Sequence, residues 1–301
     1  METTEVVLLV GLAIAAVVVM SLTFREDHQA ILTQRMAASS GLVLTPDQIS
    51  LVQDKLGLRQ RGAVIGGILG VGLSWLLTTG ERAGENNLRI ILIAGGALVG
   101  IAVGTACVAL VVGTRRPADT VLVARSTSVS LTDYIPRPAH VLVGVLVGAT
   151  IVGVVALLVT ADGRAVPPSA LALSAAAIAT LAVFEIAGRR IVAKGQPVGS
   201  VIELVLNDAV RTTYLRDLLV APAVLASYSV LIAFDTTSEW FDAPLPSELG
   251  IAAYPAVVLV LLIVRMTKWS RRLAPHYLRR LWPEIAASGP GSTAIVDEPS
   301  R

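Results

Sequence analysis

The sequence predicts an all-α protein: a polytopic transmembrane helix bundle of seven spans, with the N-terminus outside and the C-terminus cytoplasmic. Three observations carry this prediction. Apolar residues make up 54% of the 301-residue chain and charged residues only 15%, whereas soluble proteins carry about 25% charged residues. The apolar residues are gathered into long runs, each near or above the length that crosses a hydrocarbon core of about 30 Å. Lys and Arg segregate as well. If segments alternate from an outer N-terminus, the outer ones hold only Arg82, Arg89 and Arg164, and the inner ones hold the other 21 of 24. That is the bias of the positive-inside rule. Deleting or adding a span would scramble it.

The spans follow in order. Met1–Glu5 carries no basic residue and no small-residue cleavage site follows, so Val6–Leu22 is expected as a retained first span rather than a signal peptide. The others are Gly62–Thr79, Ile90–Gly113, Val141–Thr160, Pro167–Ile186, Leu218–Phe234 and Ile251–Met266. Span 3 is the expected hub, because Gly96, Gly100 and Gly104 recur every four residues and line one face with a groove free of side chains. In lipid, helix association draws on such close backbone approach. Gly144 and Gly148 predict the same kind of packing face on span 4. Pro222 and Pro255 in spans 6 and 7 read as ordinary kinks. The outer connections are short and the inner ones long (23–61, 114–140 and 187–217), so spans pair as hairpins 2–3, 4–5 and 6–7.

The inner side has its own helices. Thr45-Pro46-Asp47-Gln48 combines an N-cap, a first-position proline and a capping-box Gln, which predicts an amphipathic helix over 46–56 that stops at Gly57. Ser200 and Glu203 form a second capping box, opening a helix over 201–217 with Glu203, Asn207, Asp208, Arg211 and Thr212 on one face. Asp208 and Arg211 are spaced for a solvent-exposed ion pair, which with exposed Arg189 and Arg190 makes four candidate contacts for a cytoplasmic partner. After span 7, a basic juxtamembrane helix (268–283) sets Lys268, Arg271, Arg272, Arg279 and Arg280 among Trp269, Tyr277 and Trp282. Such a helix can lie on an anionic leaflet. The bundle and its loops occupy 1–286, and 287–301 is expected to be a disordered tail.

Chemistry-bearing patterns are sparse. No span has an ionisable group at its centre, where one would mark an ion path or relay. Hydroxyls such as Ser174 and Ser229 are expected to bond back to their own helices. Cys107 is a lone mid-span cysteine, and His28, His140 and His276 fall in three segments without metal-ligand spacing. No catalytic residue, cofactor, metal or nucleic-acid partner is therefore expected. The rhodopsins share the span count, but span 7 lacks a Schiff-base lysine and span 3 a counter-ion.

Gly188-Arg189-Arg190-Ile191-Val192, then Gln196-Pro197, then Asn207-Asp208-Ala209-Val210-Arg211-Thr212 resembles a signature of uncharacterised multi-pass integral membrane proteins of actinobacteria. The Asp133-Tyr134-Ile135-Pro136 element in the preceding inner loop is similar to theirs too. The resemblance implies topology and lineage, and no activity. The expected function is that of a non-enzymatic protein of the bacterial plasma membrane. It would be a scaffold or regulatory subunit that engages a cytoplasmic partner or anionic lipid through its inner loops. A permease-type subunit for a neutral or apolar solute is the alternative.

Overall fold

The computed structural model describes residues 30–31, 33–34, 46–78, 86–112, 129–161, 166–194, 201–240 and 276–287. The elements run α1 (Pro46–Thr78), α2 (Asn86–Val112), α3 (Leu131–Tyr134), α4 (Arg137–Thr160), α5 (Pro168–Ala193), α6 (Val201–Trp240), α7 (His276–Leu281) and α8 (Pro283–Ala287). No strand occurs among the described residues. Three helices are long and apolar enough to cross a membrane: α2 over Leu92–Val111, α4 over Arg137–Thr160 and α5 over Pro168–Ala193. Predicted spans 1 and 7, with Lys268, Arg271 and Arg272, lie outside the described residues, as does the tail after Ala287.

Prolines set the starts of the central pair. Pro136 and Pro138 flank the first residue of α4, and Pro167-Pro168 opens α5, positions where a missing N–H costs the helix nothing. Two predicted boundaries are corrected. The capped helix at 46 does not stop at Gly57, and the one at 201 does not stop at 217. Both continue without a break into predicted spans 2 and 6 as α1 and α6. A glycine ends a helix only when the next residues leave the helical path. Here Leu58-Arg59-Gln60-Arg61 are good helix formers, and Arg59 is held by Asp217.

α1 and α2 are antiparallel and meet glycine to glycine. A Cβ on Gly66 would run into the Gly100 carbonyl and one on Gly100 into the Gly66 carbonyl, with Gly62–Gly104 and Gly70–Gly96 repeating the pattern. The Cα–H bonds of these glycines therefore point at carbonyl oxygens across the interface. Each such contact contributes about 0.5–1 kcal/mol, and the close approach adds dispersion energy along the whole seam. Gly96, Gly100 and Gly104 thus lie in a helix seam. Gly144 and Gly148 do not: a Cβ on either would meet nothing within 4 Å. The reason is the face they occupy. Val141, Val145, Val152, Val155 and Val159 of α4 are exposed, and α4 turns Val143, Val147, Thr150 and Leu157 inward instead.

α6, rather than α2, meets more of the described helices, packing against α1, α2, α4 and α5. At 40 residues it is long enough to run through both halves of the molecule. Leu215, Leu218, Leu225 and Ala226 on it are fully buried. Ser174 Oγ does bond back, to the Ala170 carbonyl at 2.7 Å, but it also meets Ser229 Oγ of α6. Ser229 in turn reaches the Ala170 carbonyl at 3.3 Å. In a dry interior a hydroxyl that can bridge two helices satisfies both, and such bonds contribute about 0.6 kcal/mol each.

Gly100→Leu is expected to lower the thermal stability of the detergent-solubilised protein by at least about 1–3 kcal/mol, the range for overpacking. Gly144→Leu is expected to leave it unchanged. Equal melting temperatures for the two variants would contradict the seam.

Candidate functional site

Charged and polar side chains gather at one end of the bundle, where α2 and α5 finish and α4 and α6 begin. Asp208, in the second turn of α6, is at the centre and is 0% exposed. Its carboxylate accepts from two residues remote in sequence. Tyr134 donates its hydroxyl to Oδ1 at 2.8 Å, and Trp282 donates its indole N–H to Oδ2 at 2.9 Å. Burying a carboxylate is costly unless it is hydrogen-bonded, so these donors are a condition of the fold at this place.

The donors are positioned by local structure. Ser130 caps α3: its backbone N–H and its hydroxyl both donate to Asp133 Oδ2 at 2.8 Å. Pro136 then stops the turn, because the residue before a proline is pushed out of the helical region, and Ile135 is extended. Tyr134 is left pointing at α6, fully buried. On the other side, α7 brings Trp282, whose backbone N–H closes on the Leu278 carbonyl at 2.8 Å. The His276 ring meets the Thr132 carbonyl at 2.9 Å, and Arg280 approaches Asp133 at 3.6 Å.

Further polar contacts surround this knot. Arg59 of α1 pairs with Asp217, Lys55 donates to Asn207 Oδ1, and the Tyr214 hydroxyl donates to the Lys55 carbonyl at 3.1 Å. Beneath them Val52, Leu56 and Leu206 form a small apolar cluster. Lys194 donates to the Leu110 carbonyl at 3.1 Å, placing a cation at the negative end of α2, and Arg211 donates to the Lys194 carbonyl at 2.6 Å. At the bundle edge His140 and Glu185 approach to 2.5 Å, and Arg189 reaches Glu185 at 3.2 Å.

The predicted contact residues separate accordingly. Arg189 is 78% exposed along its side chain and Arg280 60%, and Arg190 and Arg279 are exposed as well. Asp208 is a correction: it is sealed inside the knot and is not a solvent-facing contact, because the 129–136 and 276–287 segments fold over it. Arg211 spends a donor on the Lys194 carbonyl. Sequence reasoning gave no structural role to Lys194, Arg59 or Asp217, expected Trp282 on a basic helix lying along the membrane surface rather than on Asp208, and brought in Tyr134 only through a resemblance. The Ser130-x-x-Asp133 capping box was the one local signal of a formed turn beside Tyr134. Among the described residues no group of three or more His, Cys, Asp or Glu could hold a metal ion.

The electrostatics follow burial. Burial, helped by the Asp208 charge, pushes the Tyr134 hydroxyl up to about 12, against the opposing Arg211 guanidinium. Burial likewise raises Tyr214 to about 12, with Arg59 opposing. Burial lowers Lys55, with Arg211 adding to the effect and Glu203 opposing it, and burial also lowers Arg59 and Arg216. The arrangement ties segments 129–136, 201–217 and 276–287 together through buried hydrogen bonds, with exposed arginines at its edge.

Asp208→Ala leaves the Tyr134 hydroxyl and the Trp282 N–H without their acceptor and is expected to destabilise the protein by about 1–3 kcal/mol per orphaned group, measured by thermal unfolding in detergent. The raised Tyr134 pKa means that the folded state holds the phenol protonated. Its stabilisation is complete below pH 10 and is lost as pH rises towards 12. Wild-type protein should therefore lose stability over that interval more steeply than Tyr134→Phe, and parallel curves would contradict the buried bond.

No family model, curated protein or solved structure matches this chain.

Proposed function

We propose that this chain is a seven-span integral protein of a bacterial plasma membrane, N-terminus outside and C-terminus cytoplasmic. In this reading it acts as a non-enzymatic scaffold or regulatory subunit. Its inner end engages a cytoplasmic protein partner with an acidic surface. One observation carries this reading: the knot at Asp208 fuses segments 129–136, 201–217 and 276–287 into a fixed platform, and Arg189, Arg190 and Arg279 stand exposed around it. A platform of this kind presents guanidinium groups at set positions, which suits recognition of carboxylates. The three helices that can cross a membrane and the inward sorting of 21 of 24 basic residues support the topology.

Photocrosslinkers placed at Ala193 and Val201 in native membranes are expected to capture a discrete protein. Arg189→Glu together with Arg190→Glu should cut that yield about tenfold, the scale of removing a charge pair worth roughly 1.4 kcal/mol. Capture of lipid alone, or a yield indifferent to charge reversal, would rule out the protein partner. Labelling of an Arg189→Cys variant from outside intact cells would overturn the topology.

A further inference from the structure

α4 and α5 run antiparallel, side by side. His140, in the first turn of α4, meets Glu185 near the end of α5 at 2.5 Å, and its ring stands edge-on to Phe184. Leu157 and Ala170 pack together towards the opposite ends. Arg137 precedes His140 by three residues, and Arg189 follows Glu185 by four. At the helical rise per residue, both arginines stand about 4.5–6 Å beyond the His140–Glu185 pair, towards the same end. They are level with each other on neighbouring helices.

The charge here does not balance. α4 and α5 together carry three arginines and one carboxylate, all at this end. Glu185 is engaged by both His140 and Arg189. Arg137 is exposed and makes no ion pair among the described residues, and the N-terminal end of α4 beside it adds partial positive charge. Along the helices from the arginines, the surface is hydrocarbon. Val141, Val145 and Val152 continue from Arg137 on one side of α4 and are exposed, as is Ile186 one turn from Arg189 on α5. A Cβ at Gly144, among these valines, would meet nothing within 4 Å. A soluble anion would use only the arginines of this face, and a neutral lipid only its valines. An anionic amphiphile complements both.

We propose that the face shared by α4 and α5 is a binding site for an anionic phospholipid. The phosphate is held between Arg137 and Arg189, whose guanidinium groups suit its oxygens, and an acyl chain lies along Val141, Gly144 and Val145. The site rests on the membrane-spanning reading of α4 and α5 given above. It does not need the protein partner, because Arg137 has no part in that contact.

Native mass spectrometry of the purified, delipidated full-length chain in detergent reads the site, with phosphatidylglycerol and phosphatidylcholine of the same acyl chains as probes. The first phosphatidylglycerol is expected to bind at least about tenfold more tightly than phosphatidylcholine. Arg137→Gln should weaken it about fivefold, and Arg137→Gln with Arg189→Gln about thirtyfold, the scale of one and two basic residues at an anionic surface. Phosphatidylcholine should bind these variants as it binds wild type. Arg61→Gln removes an exposed charge from α1 and should change neither lipid. Gly144→Leu fills the space beside the valines and keeps both arginines, so it should weaken both lipids alike. Equal affinity for the two lipids overturns the site, as does an Arg61→Gln effect as large as that of Arg137→Gln. Displacement of phosphatidylglycerol by millimolar glycerol 3-phosphate would make this a free-anion site and overturn it too. A photocrosslinker at Val145 should capture added phosphatidylglycerol. Capture of residues 6–22 or 251–266 instead would mean that the chain itself covers the face, and the lipid site would fall. Protein capture at Ala193 and Val201 is read separately, so either result stands without the other.

Discussion

A carboxylate removed from water must find its hydrogen bonds within the chain. Asp208 finds them 74 residues away in each direction, at Tyr134 and at Trp282. Leaving such a group unmet costs several kcal/mol, more than any exposed ion pair at this end can return. The three segments that meet at Asp208 are therefore obliged to fold together. The remaining polar contacts arrange themselves around that obligation: the Lys194 cap on α2, the Arg211 bond behind it, and the Arg59–Asp217 pair that brings in α1.

The other half of the molecule is held by different forces. Where the surroundings are apolar, burying a valine gains little, and helices associate through shape and through contacts between backbones. The glycine pairs 62–104, 66–100 and 70–96 supply both, and the Ser174–Ser229 bridge adds a polar tie between α5 and α6. The exposed valines of α4 belong to the same account. They line a helix that is long and apolar enough to cross a membrane, where acyl chains would cover them.

α1 and α6 pass from one half to the other without a break. The Asp208 end is thereby joined through continuous helices to the glycine seam and the serine bridge. Pro222 is the one interruption inside α6; it removes a backbone hydrogen bond there and gives the long helix a place to bend.

The sequence by itself determined the helical class and the apolar helices. These depend on composition and on periodicity along one segment, and hydropathy is a local property. It also placed helices over 46–56 and 201–217, and the glycine row at 96, 100 and 104. It did not determine which of two similar glycine rows would face a helix. Gly100 meets Gly66, while Gly144 meets nothing, because that outcome depends on how a neighbouring helix is rotated. It placed a stop at Gly57, since a glycine reads alike in a helix and at its end until the next turn is seen packed. The role of Asp208 was also beyond it. An aspartate beside an arginine on a capped helix looks like a surface pair, and only the tertiary structure, by laying Tyr134 and Trp282 over it, turned it into the buried centre of the site.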